Sequence, residues 1–194
     1  MKRTLILLAV FACCVGLIGN VSAVSGLTNL EISATVDSSG GCNIAITGKL
    51  FFDQAVADPV FPLPEAATEL FLNGQKVSAP VQGSVRLVPL QGLTGGHPGE
   101  YSFTLHYRLP GTVDSVQDEL ELSLPLLAGF AYPVETLTFR IQLPSEISEQ
   151  PVFTSSYYQE LIQAQMDLEF SGNAIVGSCS ALKDHETVTM TLPV

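Results

Sequence analysis

Residues 101–109 read YSFTLHYRL, and in this stretch large, mostly apolar residues alternate with polar ones. Successive side chains of a β-strand point to opposite faces of a sheet, so this period of two predicts a strand with one buried face. The pattern returns in residues 119–124 (ELELSL) and 137–143 (LTFRIQL). Connectors that contain Pro and Gly, which end strands and reverse the chain, separate the three stretches. We therefore predict an antiparallel meander of three strands with one dry face.

Shorter stretches of the same kind fill most of the remaining chain. Turn signals separate them, among them DSSGG at residues 37–41 and Asn73-Gly74, a strong two-residue hairpin signal. The further predicted strands are residues 30–36, 42–52, 69–72, 76–78, 84–90, 165–170, 174–177 and 187–194. About ten short strands with Gly and Pro turns predict an all-β fold, a two-layer antiparallel β-sandwich of Ig-like type with at most one short helix.

Four other segments do not follow the alternation. Three prolines exclude residues 58–64 from a central strand, so we interpret them as an extended connector. Residues 92–99 are rich in glycine and predict a flexible loop, and residues 177–185 predict a second loop. Residues 155–164 have the one helix-like composition, with Ser156 and Gln159 spaced as a capping box.

The start of the chain has the features of a secretory signal peptide. Lys2 and Arg3 precede an apolar run, and small residues end at Ala23. We expect cleavage after Ala23, which leaves residues 24–194 as a single exported domain. A retained membrane anchor is the main alternative, because about 20 apolar residues would span a bilayer. A lipoprotein site at Cys13 is disfavoured, because Phe11 is bulky where such sites have a small residue.

The composition bears on partners and location. The chain has 8 Lys and Arg against 19 Asp and Glu, a formal net charge of −11. Such a surface repels nucleic acid and anionic lipid head groups, so we expect no nucleic-acid partner. The signal peptide and the acidic domain together predict a secreted or cell-surface, extracytoplasmic protein.

Cleavage at Ala23 would leave two cysteines, Cys42 and Cys179. In an oxidising compartment, two cysteines far apart in sequence predict a single disulfide, with two free thiols as the alternative. Two cysteines are too few for a metal site made of cysteines alone.

The polar residues predict no catalytic residue, no metal and no cofactor. The histidines are His97, His106 and His185, and no Ser stands in a Gly-x-Ser-x-Gly elbow. Asp184, His185 and Glu186 are adjacent, which we interpret as a solvated turn rather than a metal cluster.

Glu119 and Glu121 lie on the polar face of one predicted strand. We expect them to meet His106, Arg108 or Arg140 across the sheet rather than to act as an acid and base pair.

Several short motifs occur in order along most of the chain. They are VDSSGG (residues 36–41), LFF (50–52), YSFTLHY (101–107), PGTV (110–113), DEL (118–120), IQLP (141–144), FSG (170–172) and LKDHETVTMTLP (182–193). With these motifs the chain resembles the N-terminal extracytoplasmic domain of the predicted bacterial membrane proteins grouped as domain of unknown function 2207. The resemblance implies a signal peptide, an exported β-rich domain and, in whole members, a transmembrane helix after it. It implies no activity and no catalytic residues.

Two features depart from that family pattern. An acidic residue expected in the second strand is absent, with IAIT at residues 44–47. No membrane segment follows Val194 in this sequence. We therefore expect either the exported piece of a longer, membrane-anchored protein or a free secreted form.

These observations lead to two functional hypotheses. The first is a non-enzymatic β-sandwich domain exposed at the bacterial cell envelope, which acts in protein interaction or as a structural module. The alternative is a secreted carbohydrate-binding or adhesin-like module that binds a glycan through Tyr157, Tyr158 and the loop at residues 92–99. Phe153 completes that aromatic cluster, for which core packing or loop anchoring is the other interpretation.

Overall fold

The computed structural model describes residues 25–116, 119–147, 149–157 and 165–193 of the chain. These residues form strands and a helical turn, Gln91–Thr94. The strands are β1 Gly26–Val36, β2 Cys42–Phe52, β3 Val60–Pro64, β4 Thr68–Leu72, β5 Gln75–Lys76, β6 Val81–Gln82, β7 Val85–Pro89, β8 Gly99–Leu109, β9 Val113–Val116, β10 Glu119–Ala128, β11 Val134–Gln142, β12 Val152–Ser155, β13 Asp167–Ser171, β14 Ala174–Leu182 and β15 Thr187–Pro193.

The strands make three sheets in two layers. An eight-stranded sheet has the order β13-β14-β11-β1-β2-β8-β4-β5. The other layer consists of a four-stranded sheet, β12-β15-β10-β9, and a three-stranded sheet, β3-β7-β6, with β3 beside β10. One continuous hydrophobic core lies between the layers. The prediction of an all-β sandwich is confirmed.

The alternation in sequence becomes an alternation in burial. In β1 and β2, every second residue from Leu30 to Val36 and from Cys42 to Phe52 is buried. One of these buried positions, Gly48, has no side chain. Ile32 lies opposite Ile46 in the predicted hairpin, and the turn between the strands falls at residues 37–41. One face of this hairpin therefore belongs to the core and the other faces outward.

Two glycine–phenylalanine pairs of the eight-stranded sheet lie where it packs against the two smaller sheets. Gly48 lies opposite Phe103, and Gly177 lies opposite Phe139, so each ring covers the backbone of a residue without a side chain. The Phe103 ring packs 5.5 Å from that of Phe61 in the three-stranded sheet. The Phe139 ring packs 5.4 Å from that of Phe153 in the four-stranded sheet. Each pair thus places one aromatic contact between the layers.

The predicted three-strand meander is wrong. The three strands form as predicted, but β8 lies between β2 and β4, β10 belongs to the four-stranded sheet, and β11 lies between β14 and β1. The pairing of β11 with β1 is parallel. Alternation defines which face of a strand is buried and does not define its neighbour, and the Pro and Gly connectors carry the chain between layers instead of reversing it within one.

Other elements correct the sequence prediction in detail. Residues 58–64, predicted as a connector, contain β3, the edge strand of the three-stranded sheet. Prolines are tolerated there because no strand is hydrogen-bonded to the side of β3 away from β7. The predicted loop at residues 177–185 is strand as far as Leu182. The glycine-rich segment starts with the helical turn Gln91–Thr94.

Two predictions concern residues outside the described part of the chain. The signal peptide, residues 1–23, lies wholly outside it, and residues 158–164 of the predicted helix do as well. Ser155, the first residue of that helix prediction, belongs to β12. Among the described residues, no helix is long and apolar enough to cross a membrane.

Candidate functional site

The outward face of the eight-stranded sheet, which we call the outer face, is crossed by rows of residues that the strand register places side by side. One row runs from β13 to β8 and contains Asp167, Ser178, Thr138, Glu31, Thr47 and Thr104. The next row runs from β13 to β4 and contains Glu169, Val176, Arg140, Ser33, Ala45, His106 and Phe71. Residues from seven strands therefore lie on one surface.

The middle of the outer face is lined by small side chains. Ser33 and Ala45 lie opposite each other in β1 and β2, and Thr138 and Ser178 lie opposite each other in β11 and β14. Small residues bring the surface close to the backbone, and the longer side chains around them leave a groove with a cavity volume of about 560 Å³. A second recess of about 350 Å³ continues toward β8 and β4 and shares Ser33 and Ala45 with the first. The two recesses form one concave surface across the sheet.

The charges of the groove are unequal. Glu31, Asp167 and Glu169 line it together with a single cation, Arg140. The ion pair between Arg108 and Asp37 involves none of these four side chains, and among the described residues they form no salt bridge with one another. Asn29 donates a hydrogen bond of 2.8 Å to Glu31. The groove therefore carries a net negative charge that no bridge neutralises.

A clamp closes one corner of the outer face. Arg108 Nη2 donates to Asp37 Oδ2 at 2.6 Å, and Arg108 Nη1 donates to the Asn43 side chain at 3.2 Å. The Ser39 hydroxyl and the backbone N–H groups of Ser39 and Gly41 also donate to Asp37. The Ser39 hydrogen bond, followed by that of Arg108, holds the pKa of the Asp37 carboxyl well below its usual range. The clamp fixes the β1–β2 turn against β8.

The predicted disulfide between Cys42 and Cys179 is wrong: both residues are buried free thiols. Cys179 is in register, through Leu137 and Leu30, with Gly48 of β2, three strands away. Three steps between strands and the six residues from 48 to 42 separate the two Cα atoms by about 25 Å, far beyond the 7 Å limit for a disulfide. Burial raises the pKa of the Cys42 thiol to about 12 and that of the Cys179 thiol to about 12.

The histidines lie in three separate places. His106 is on the outer face, His97 is in the loop before β8, and His185 is in the turn between β14 and β15. Among the described residues, no group of three or more His, Cys, Asp or Glu is placed to hold a metal ion.

The interpretation of Asp184, His185 and Glu186 as a solvated turn holds for only two of them. Asp184 and His185 are exposed, but Glu186 is 1% exposed. Its carboxylate accepts hydrogen bonds from the Ser155 hydroxyl and, at 2.8 Å, from the backbone N–H of Lys183. Glu186 therefore ties the end of β12 to the β14–β15 turn.

The expected pairing of Glu119 and Glu121 with basic residues of the same sheet is wrong. Both glutamates belong to β10 in the four-stranded sheet, whereas the three predicted partners belong to the eight-stranded sheet: His106 and Arg108 to β8 and Arg140 to β11. Arg108 instead bridges to Asp37.

The aromatic cluster considered for sugar binding is divided. Phe153 is 1% exposed and packs in the core against Phe139. Tyr157 is half exposed, with the Lys183 ammonium 5.0 Å from its ring centre. Tyr158 lies outside the described residues. Phe153 therefore has the core role, and one face of the Tyr157 ring is used within the chain.

No protein-family model and no curated protein sequence matches the chain. Its resemblance to the family of exported bacterial domains stays a prediction.

Distant structural likenesses are found among M1 peptidases. Native yeast LTA4 hydrolase has a TM-score of 0.45 and 11% identity, over 86% of this chain and 29% of that chain. The M1 zinc metallopeptidase from Deinococcus radiodurans has a TM-score of 0.43 and 13% identity, over 87% of this chain and 42% of that chain. The chain thus spans less than half the length of these structures, and likeness at this level assigns it no activity.

Sequence reasoning did not find the groove. Glu31 and Asp167 lie far apart in sequence, and they line the same groove only because β1, β11, β14 and β13 are neighbours in that order. The available signal was the small residues at the outward positions of β1 and β2, Ser33 and Ala45, where a solvated strand commonly has longer or β-branched side chains.

Proposed function

We propose that the chain is a non-enzymatic β-sandwich domain, exposed at the cell envelope, that acts by binding a partner protein. The outer face of the eight-stranded sheet is the observation that carries this proposal. It is open to solvent, concave and lined by small polar side chains over several strands. Such a surface suits a broad contact with another macromolecule.

A protein partner is favoured over a glycan because of the aromatic side chains. Sugar rings are commonly bound by exposed aromatic faces. Phe139, which lines the groove, is 2% exposed, and Tyr107, which lines the adjoining recess, is 6% exposed, so Phe71 at the edge of that recess, 37% exposed, is the one aromatic ring that this surface offers among the described residues. At the site considered for a glycan, Phe153 is in the core and Tyr157 is partly covered by Lys183.

The location at the envelope rests on the sequence. Residues 1–23 have the charge, apolar run and small residues of a signal peptide. Expression of the full chain followed by fractionation and N-terminal sequencing tests this part. We expect an extracytoplasmic protein that begins at residue 24, and recovery of the uncleaved chain in the cytoplasm would contradict it.

Site-specific photo-crosslinking in cells tests the binding role. A photoreactive amino acid is placed at Ala45 in the middle of the outer face, or at Ser123 in β10 of the four-stranded sheet as the matched control. We expect a discrete crosslinked species from Ala45 and none from Ser123. Equal crosslinking from both positions, or none from Ala45, would contradict the proposal. A turnover activity lost on substitution of a single His or Ser would show that the domain is an enzyme.

A further inference from the structure

We propose that the groove on the outer face binds an extended, basic segment of the partner polypeptide; this inference rests on the proposed function and adds the chemistry of the partner. Three observations support it: the length of the groove, its lining and its charge.

The length of the groove fits an extended chain. Its lining residues come from β13, β14, β11, β1 and β2, five consecutive strands. Four steps of about 4.8 Å give a length of about 19 Å, which an extended polypeptide covers with about six residues. The recess toward β8 and β4 extends the path further.

The side chains that line the groove can form hydrogen bonds with a bound polypeptide and are too small to obstruct it. Thr47, Thr138 and Ser178 lie along one row and Ser33 in the next, and each hydroxyl can both donate and accept. A polypeptide presents N–H and C=O groups at every residue, so hydroxyls at short intervals match it well. The small side chains of Ser33 and Ala45 leave the middle of the path open.

The charges select a basic segment. Glu31 and Asp167 flank Thr138 and Ser178 in one row, and Glu169 lies in the other row two strands from Arg140. Three carboxylates against one guanidinium give the groove a net charge that attracts Lys and Arg side chains. The formal net charge of −11 on the chain repels a second copy of itself and steers a basic partner toward it.

Binding of a fluorescein-labelled octalysine peptide to the exported protein, measured by fluorescence anisotropy, tests the inference. The groove variant carries Glu31→Gln, Asp167→Asn and Glu169→Gln. The matched control carries Asp58→Asn, Glu65→Gln and Asp184→Asn, which remove the same charge at exposed positions outside the groove. We expect the groove variant to bind about tenfold more weakly and the control to change by less than about twofold.

Two further variants separate a groove from a merely acidic surface. Ser33→Tyr fills the middle of the groove without changing its charge, and we expect at least about fivefold weaker binding, whereas Ser123→Tyr in the other sheet has no effect. Arg140→Gln removes the one cation, and we expect about twofold tighter binding. Circular dichroism verifies that each variant is folded.

Equal weakening by the groove variant and its control would overturn the inference, because binding would then follow net charge alone. An unchanged affinity on Ser33→Tyr would also overturn it. If octalysine fails to bind while Ala45 still crosslinks in cells, the basic partner is wrong and the proposed function stands. If crosslinking from Ala45 fails as well, the outer face is not a binding surface.

Discussion

At the scale of single residues, the structure depends on two glycines whose neighbours leave no room for a side chain. A Cβ atom added at Gly48 would lie 2.3 Å from the ring of Phe103, and one added at Gly177 would lie 2.4 Å from the ring of Phe139. Because both rings also pack between the layers, neither can shift without disturbing the core.

Substitution of Gly48 by alanine is therefore expected to destabilise the protein by about 1–3 kcal/mol through overpacking. Urea unfolding at neutral pH measures this loss. Gly92→Ala is the matched control, since a Cβ there meets nothing within 4 Å. Equal stability of the Gly48→Ala protein and the wild type would contradict the contact with Phe103.

The Asp37 clamp predicts a dependence of stability on pH. Its carboxyl has a pKa lowered from the ordinary value of 3.8, so its contribution to stability is present above that pH and is lost as the pH falls below it. Asp37→Asn should be less stable than the wild type at pH 7, and the difference should shrink at pH 3 and below. Thermal unfolding across this range measures both, and a difference that grows on acidification would contradict the clamp.

At the scale of elements, the buried Glu186 carboxylate links the end of β12 to the turn that precedes its neighbour β15. Glu186 accepts hydrogen bonds from Ser155 at the end of β12 and from the N–H of Lys183 in the β14–β15 turn. Glu186→Ala would remove the carboxylate that the buried Ser155 hydroxyl and the partly buried Lys183 N–H both contact, and is expected to cost about 1–3 kcal/mol. Asp184→Ala, two residues away and exposed, is the control and should change stability by less than about 0.5 kcal/mol. Similar unfolding midpoints for the two variants would contradict this role of Glu186.

The two cysteines give a second prediction at this scale. Cys179 lies in β14 and Cys42 in β2, three strands away in the eight-stranded sheet, so we expect both thiols to stay free. The protein, purified without reductant, should have the mass of two free thiols, and both should react with iodoacetamide slowly at pH 8 until the protein is unfolded. A mass lower by about 2 Da than that of the reduced protein would show that a disulfide forms.

The strands and their buried faces could be predicted from the sequence, because alternation depends only on local spacing. Residues 101–109 and 137–143 illustrate this, since their buried faces agree with the predicted ones. Their neighbours could not be predicted. The parallel pairing of β1 with β11 depends on how a long intervening segment crosses between layers, and no local pattern encodes it. The failed disulfide prediction has the same cause.

At the scale of the whole molecule, the arrangement of the sheets determines what the domain can bind. Both small sheets cover one face of the eight-stranded sheet through Phe61 and Phe153 and leave its other face open. The candidate site is that open face. Its acidic residues come from strands at opposite ends of the sequence, so the site could be found only once the strand order was known.

The binding of a basic polypeptide to the outer face is the central claim, and nuclear magnetic resonance tests it most directly. Backbone amide shifts of the isotopically labelled protein, residues 24–194, are followed as octalysine is added. We predict that the perturbed amides cluster in β13, β14, β11, β1 and β2. Perturbations spread evenly over the protein, or centred on the four-stranded sheet, would contradict the claim.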